Sequence, residues 1–501
     1  MPDVRSGLPE WIVQKVDSLQ KTCDEIYLVG GAIRNLISGI QADDYDFVVK
    51  KGAVSAAQTM ANAMGGDFYI LDKQRQTARA IVTENNAQIH LDFALFNGKN
   101  IIEDLQARDF TINAIALRLP EAGEFLDPTG GKEDLKNKRL KPCSRTAFID
   151  DPVRTIRYVR FLEEMGFDPI PEIENLINQA LPKLDQVSCE RQRDALMDMI
   201  RVANLQNAFN YLLDIGLIPT LFPGAEHLKE VALSPPHTYN AWDHTMQVMH
   251  YCQQLMMRFD LAPSLPNTHP RIQQALLHLK KYHSSLQIFF QQPVTPGRNK
   301  YQLLAVSALY HDYAKGVVEF EFKGERKKFP GHAKRGAKIV RDWAKRNNLS
   351  KNETRYLHDI VRMHMKVSRP EMLDEKINRI NIYKFFKRAG DAGILTCILH
   401  LADVLTTYED AMTDDRWIEA LSAVEKIFDA YFFHYDEIVD PVPLINGSEL
   451  MRIFDISPGK QVGYLLGKLQ EAQVSKKVSS HDQAVAYVNE IISMSNLEEI
   501  N

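Results

Sequence analysis

Two sets of residues in this chain have the types and spacing for phosphate chemistry. In the run IYLVGGAIRNLISGIQADDYDFVVK, from Ile26 to Lys50, the pair Gly30-Gly31 is followed by Arg34 and then by Asp44 and Asp46. Glycines carry no Cβ, so backbone N–H groups can close on a polyphosphate, and an arginine one helical turn later adds a forked cation. Asp44 and Asp46 lie two apart in a strand-like segment and therefore point to one face. Paired carboxylates repel unless a cation lies between them, and Mg²⁺ favours carboxylate oxygens together with substrate phosphates. The second set comprises His244, the adjacent pair His311-Asp312, His332, His364 and Asp403, all in helical surroundings. Histidine and aspartate so placed are ligands for a divalent ion, which can activate water against a phosphoester.

The first set needs a strand, a glycine turn, a helix and a second strand to hold it. Apolar Ile26 to Val29 and Asp46 to Val49 supply the strands, with helical spacing through Arg34 and Leu36 between them. SAAQTMANAMGG then predicts a helix stopped by glycine, followed by strands over Asp67–Leu71, Ala78–Thr83 and Gln88–Phe96. Asp92 in the last of these is either a third carboxylate near the metal pair or a surface residue at a strand end. In EDLQARDFTINAIAL, Arg108-Asp109 precede an expected helix with Ile112, Ile115 and Ala116 on one face. An Arg–Asp pair can bracket a ribose, the carboxylate accepting from hydroxyls and the guanidinium reaching phosphate. A turn region, LDPTGGKEDLKNKRLKP, follows. In DDPVRTIRYVRFLEEMGF, Asp151 is the expected N-cap and Pro152 the first helical residue, with Arg154, Arg157, Tyr158 and Phe161 along one side.

LVGGAIR followed by DDYDFVV resembles the head-domain signature of class II nucleotidyltransferases, the tRNA CCA-adding enzymes and bacterial poly(A) polymerases. The likeness continues through ARDFTINA, where the family's usual first arginine is replaced by Ala107, and through Asp150-Asp151 and Arg154, similar to a Glu-Asp-x-x-Arg motif that reads the incoming base. The resemblance implies Mg²⁺ on Asp44 and Asp46, the triphosphate on Gly30, Gly31 and Arg34, and the ribose on Arg108 and Asp109. It also implies base reading by Asp151, Arg154 and Arg157. CERQRDALMDMIR is similar to the segment that normally follows; its Glu190, Arg191 and Arg193 are assigned no chemistry. The histidine and aspartate series resembles an HD phosphohydrolase domain, which implies Mn, Ni, Fe or a similar transition metal, or Mg, on His244, His311, Asp312, His332, His364 and Asp403. His250, His358 and His400 fall outside that pattern and are left structural.

The expected fold is an α+β head, a mixed β-sheet with flanking helices, followed by an all-α neck, an HD-domain body and a helical tail. Boundaries are expected at 1–145, 146–230, 231–415 and 416–501, with an insertion-like stretch at 261–298 and two short tail helices joined at Pro458-Gly459. The implied activity is template-independent addition of CMP, AMP or both from CTP and ATP to a tRNA 3′ end. The short segment LFNGKNIIEDLQA, between Asp92 and Arg108, resembles the CC-adding enzymes, which would leave the final A to a separate A-adding partner. A poly(A) polymerase or A-adding enzyme is the rival within the family. An HD phosphohydrolase with a nucleotide- or RNA-binding head is the rival from another class.

Composition agrees with a soluble globular chain of about three or four domains: 501 residues, 45% hydrophobic and 25% charged, with a net charge of −5. No run approaches the ~18 apolar residues of a membrane span, and the N-terminus lacks an apolar signal core, so a cytoplasmic location without membrane partners is expected. The five cysteines are dispersed, without a Cys-x-x-Cys pair. Local basic runs, 136–145 and 323–346, offer surfaces for a phosphate backbone on an otherwise acidic chain.

Overall fold

The computed structural model describes residues 8–16, 19, 22–23, 25–42, 44–84, 87–119, 123–257, 268–367 and 378–494. The first part of the expected insertion, 261–267, lies outside them. The chain forms two compact units, Met1–Met199 with Asp214–Leu217, and Ile200–Leu213 with Ile218–Asn501.

Unit 1 begins with α1 (Glu10–Val16), β1 (Ile26–Val29), α2 (Gly31–Ile37), β2 (Asp44–Val49), α3 (Ala53–Met64), β3 (Asp67–Asp72), β4 (Thr77–Glu84) and β5 (Ala87–Leu95). It continues with α4 (Ile101–Gln106), β6 (Ala116–Leu119), β7 (Phe125–Leu126), α5 (Gly131–Lys136), β8 (Arg139–Leu140), α6 (Ala147–Asp150), α7 (Arg154–Met165), β9 (Asp168–Pro169), α8 (Ile173–Leu184) and α9 (Cys189–Met199). The main sheet runs β3-β4-β5-β2-β1-β6-β7 and is mixed, because β2 pairs parallel to β5 and antiparallel to β1. Strand alternation separates its two faces. Tyr45, Phe47 and Val49 join Ile26, Leu28 and the alanine-rich face of α3 in the larger core, while Val48, Tyr27 and Val29 pack with Ile101 and Leu105 of α4. Asp44 and Asp46 share the second face, just beyond that smaller core.

Three local expectations differ from the structure. Thr111–Asn113 forms only a 3₁₀ turn, and Ala116–Leu119 is the strand β6, paired with β1, rather than one face of a helix. Thr111 and Ile112 stay in the short turn, and the edge of β1 offers the residues that follow it backbone partners as a strand. Second, Asp151 caps no helix: it closes α6, and α7 begins at Arg154 with Val153 before it and no side-chain cap. Third, the stretch after Asp127 is not only a turn, since Gly131–Lys136 is helical, its first N–H groups held by the Asp127 carboxylate.

Unit 2 is helical. Its elements are α10 (Leu205–Asp214), α11 (Ile218–Leu221), α12 (Ala241–Met256), α13 (Pro270–His278), α14 (His283–Gln291), α15 (Lys300–Tyr310), the hairpin β10 (Glu321–Lys323) and β11 (Arg326–Lys328), α16 (His332–Arg346) and α17 (Lys351–Met363). Then come α18 (Asn378–Ala389), α19 (Ala392–Tyr408), α20 (Asp414–Phe433), α21 (Gly447–Phe454), α22 (Lys460–Val474) and α23 (His481–Met494). Asn240, Asn299 and Ser350 cap α12, α15 and α17, fixing where those helices start. The tail helices form a separate apolar cluster that includes Leu450, Leu465 and Val488. α23 is a third tail helix beyond the two expected. No single described helix is long and apolar enough to cross a membrane.

Candidate functional site

In unit 1 the carboxylates converge at one end of the central strands. Parallel register sets Asp46 beside Asp92 and Asp44 beside His90, whose Nδ1 lies 3.2 Å from the Asp44 carboxylate. Asp92 is claimed by Arg79, which donates to both of its oxygens at 2.7 and 2.8 Å. The tip of Asp46 reaches solvent, yet crowding by protein raises its pKa; the charge of Asp92 adds to this and Arg108 opposes it. Gly30 adopts φ +70, and a Cβ there would stand 3.0 Å from an Asp46 oxygen and 3.6 Å from an Arg108 guanidinium nitrogen. That glycine permits Asp46, Arg108 and the turn to meet.

Arg34 and Asp109 belong to one hydrogen-bonded chain. Arg34 donates to Asn113 Oδ1 at 2.7 Å, Asn113 Nδ2 donates to Asp109 at 3.1 Å, and Arg157 donates to the other Asp109 oxygen at 2.6 Å. Burial would raise the Asp109 pKa, but Arg157, Asn113 and the Phe110 N–H more than offset this and hold it below the usual carboxylate range. Arg34, Arg157 and Arg160 all stand over the Phe161 ring, at 5.4, 5.5 and 4.6 Å from its centroid. Arg108 pairs with Asp104 of α4 at 3.1 Å.

A cavity of about 490 Å³ is lined by Arg108, Asp109, Asp151, Arg154, Arg157 and Arg191, with part of α9. Arg154 spends much of its guanidinium on backbone, donating to Ala107 at 2.7 Å and to Arg108 and Ala147 at 3.3 Å each. Asp151 accepts from Arg191 at 2.7 Å through Oδ2, while its buried Oδ1 has no partner. Asp150 lies apart, accepting from Thr146. Gly30, Gly31, Arg34, Asp44 and Asp46 do not line this cavity. Sequence reasoning missed Asn113 and Arg191; the spacing of Asn113 within the Arg108-Asp109 motif was the available signal.

In unit 2 five elements bring the second set together: α12 carries His244, the end of α15 leads into His311 and Asp312, α16 begins at His332, α17 ends at His364, and α19 holds Asp403. The set divides around the two oxygens of Asp312. His311 Nε2 and His244 Nε2 lie 3.4 and 3.8 Å from Oδ2, and His332 Nε2 and His364 Nε2 lie 3.4 and 3.9 Å from Oδ1. His244 Nε2 is also 3.1 Å from Asp403. His311, His332 and His364 each hold a backbone carbonyl three residues earlier through Nδ1, at 2.7, 2.8 and 2.8 Å. A ring that donates through Nδ1 presents an Nε2 lone pair, the usual arrangement of a ligating histidine. His332 and His364 face each other Nε2 to Nε2 at 3.3 Å, and His311 Nε2 is buried without a hydrogen bond. Opposed lone pairs and an orphaned buried nitrogen are relieved by a cation, so these residues fit a metal.

Burial lowers the His364 pKa to about 4, helped by His311; burial likewise lowers that of His244. Burial alone would raise those of Asp312 and Asp403, but Lys315 and His311 hold the first well below the usual range, and the hydrogen bond from His244 together with the charge of His311 does the same for the second. A cavity of about 330 Å³ opens on the cluster and is also lined by His237, Lys315 and His400. Lys315 pairs with Asp312, its place three residues beyond being a signal that sequence reading overlooked. His250 binds Gln254 and His358 binds Asp359, and neither lines the cavity over the cluster. His400 lies in the cavity wall with an unpartnered Nε2, closer to the chemistry than its structural assignment implied.

Family models match in the order of the chain: the poly A polymerase head domain over 26–141, the HD domain over 241–408, and tRNA nucleotidyltransferase domain 2 over 336–488. Curated relatives include an A-adding tRNA nucleotidyltransferase of Deinococcus radiodurans, 26% identical across 92% of this chain and 94% of the relative. A CC-adding tRNA nucleotidyltransferase of Synechocystis is 24% identical across 93% of each chain. A CC-adding enzyme of Geobacter sulfurreducens is 35% identical, across 40% of this chain and 46% of that one. Among solved structures, a CCA-adding enzyme in complex with ATP aligns at TM-score 0.61 and 19% identity over 98% of each chain, a likeness of fold. The Thermotoga maritima CCA-adding enzyme complexed with tRNA aligns at 0.56 and 19% over 98% of each. The chain thus carries a poly A polymerase head domain, an HD domain and a tRNA nucleotidyltransferase domain 2 in sequence order, and relatives named A-adding and CC-adding tRNA nucleotidyltransferases align across most of its length.

Proposed function

We propose that the protein is a template-independent tRNA nucleotidyltransferase that adds CMP from CTP, as CC, to the tRNA 3′ end. The observation that carries the transfer reaction is the meeting of Asp46, Gly30 and Arg108, linked by the 107–109 backbone to the Asp151–Arg154 cavity. Relatives aligned over more than nine-tenths of their length, one CC-adding and one A-adding tRNA nucleotidyltransferase, support tRNA as acceptor. The choice of CC rests on the short crossing from β5 to Arg108, which is filled by the ordered helix α4 rather than a long loop.

Asp44 and Asp46 would hold Mg²⁺, which neutralises triphosphate charge and favours ionisation of the attacking hydroxyl. Arg34 and Arg108 hold the phosphates beside the Gly30-Gly31 turn, and Asp109, fixed by Arg157 and Asn113, receives the ribose hydroxyls. The Asp151 Oδ1, an acceptor without a partner, takes the exocyclic amine of the base. Arg154 has two long 3.3 Å bonds to backbone, so one N–H can turn to a ring acceptor. The 3′-hydroxyl oxygen forms the new bond to the α-phosphorus, the bond to the β-phosphate oxygen breaks, and pyrophosphate leaves. The test is incorporation on tRNA transcripts ending at the discriminator base, at C and at CC, with CTP and ATP supplied separately and together. A halt after two C residues is expected; growth to CCA, A alone or an A tract would refute CC addition.

The Asp312 cluster favours a second activity, metal-dependent hydrolysis of a phosphoester. Two triads that share Asp312, His244-His311-Asp312 and Asp312-His332-His364, could each hold a divalent ion, which would supply a nucleophilic water and charge stabilisation. Loss of hydrolysis in His311→Ala and Asp312→Asn, with nucleotide incorporation retained, is the expected result.

A further inference from the structure

The lysines and arginines of the basic run at 323–346 are used by neither site, yet His332 of the Asp312 cluster lies among them. A groove of about 880 Å³ has His332, a member of that cluster, in its wall, together with Lys315, Lys327, Lys328, Lys334 and Arg362. This is at the upper end of the roughly 300–1,000 Å³ usual for a small-molecule site. It continues into a second hollow of about 520 Å³ that adds Arg335, Lys338 and Arg341. The carboxylates in these walls are Glu321 and Asp359, the latter held by His358. Among the described residues Lys328, Lys334, Lys338 and Arg362 have no carboxylate partner and are exposed. These cations, Lys328 on the hairpin, Lys334 and Lys338 on α16 and Arg362 on α17, line one basic surface suited to a phosphate backbone.

The hairpin beside this groove carries aromatic rings turned to solvent. Phe320 is 51% and Phe322 65% exposed, their centroids 5.6 Å apart at right angles. Lys327 stands 4.9 Å over Phe320, and Phe329, 6.1 Å from Phe320, lies under the Lys315 ammonium at 5.8 Å. Lys315 in turn pairs with Asp312. Exposed rings alternating with cations are the surface on which bases stack while phosphates are tracked.

We propose that this groove receives a single-stranded RNA chain and delivers its terminal phosphate to the Asp312 cluster. The proposal rests on the hydrolytic reading of that cluster and makes its substrate an oligonucleotide end rather than a free mononucleotide. In the step, a water oxygen bonds to phosphorus and the bond from phosphorus to the ribose oxygen breaks. One water proton ends on that ribose hydroxyl and the other stays on the released phosphate. No oxidant or reductant is involved.

The experiment uses the full chain and a 12-nucleotide single-stranded RNA bearing 4-thiouridine and a 3′-phosphate. Photo-cross-links are expected in peptides covering 320–338, and Lys334→Ala/Lys338→Ala/Arg362→Ala should reduce them at least tenfold. The same variant should lower the salt slope of binding by about 2, from a slope of roughly 0.7 per lost phosphate contact, while leaving nucleotide incorporation unchanged. Phe322→Ala should weaken binding by about tenfold. Cross-links confined to unit 1, or displacement by poly-L-glutamate as readily as by RNA, would overturn the groove. If Asp312→Asn releases phosphate as fast as the wild type while the cross-links persist, the strand groove stands and the hydrolytic reading falls.

Discussion

Arg34 and Asn113, 79 positions apart in sequence, are joined by a 2.7 Å hydrogen bond that ties the glycine turn to the Asp109–Arg157 pair. Neither touches the carboxylate strand in this network, so Asn113 acts by positioning. Asn113→Ala should lower kcat/KM for nucleotide transfer by about 10²-fold, the scale of an ångström misplacement. The loss should appear mainly as a rise in KM for the nucleotide, with Asn113→Gln, which keeps an acceptor for Arg34 and a donor for Asp109, restoring part of the activity. Unchanged kinetics would remove Asn113 from the site.

Asp44 and Asp46 should be indispensable to transfer and dispensable to folding. Both stand at the solvent end of β2, outside the packed core. Asp44→Ala and Asp46→Ala are expected to reduce incorporation at least about 10²–10³-fold with an unchanged circular dichroism spectrum. Retained transfer would refute their assignment as metal ligands.

The Asp109 carboxylate titrates below its unfolded value of ~3.9, so its contribution to stability is present above that pH and lost as pH falls through the folded value. Asp109→Asn removes half of a largely buried ion pair whose arginine is one-third exposed, and should cost about 1–3 kcal/mol at pH 7. Urea unfolding at pH 7 and pH 3 checks the sign, since the difference from wild type should shrink at the lower pH. A difference that grows on acidification would contradict the shift.

Metal content should follow the division around Asp312. After loading with Mn²⁺ and desalting, about two ions per chain are expected by elemental analysis. His364→Ala should keep about one, because His244, His311 and Asp312 remain together, whereas Asp312→Asn should lose most of both. Chelation should also lower the melting temperature of the wild type, since a ligand that binds only the native state stabilises it. Equal loss in the two variants would argue against a shared carboxylate.

Legibility in the sequence followed the range of the interactions. Asp44 and Asp46 could be paired from their two-residue spacing, because strand alternation is local. The glycine turn before Arg34 was equally readable. The course of Thr111–Leu119 was not: its apolar spacing suited a helix, but the edge of β1 recruited it as a strand. Asp151 had the composition of a cap, yet Arg191 on a different helix takes its carboxylate. Lys315 follows Asp312 by three residues, but spacing alone does not tell a partner of that carboxylate from a solvated lysine.

The sequence by itself determined which residues could do chemistry, in what order, and on which kind of element, since residue type, periodicity and motif spacing are properties of short segments. Only the tertiary structure decided their company. It placed Arg79 on Asp92, Asn113 between Arg34 and Asp109, and the two oxygens of Asp312 between two pairs of histidines. It also brought the basic run of α16 beside the same cluster. These relations join residues tens of positions apart through side-chain packing and sheet register, which depend on the whole buried core rather than on any local pattern.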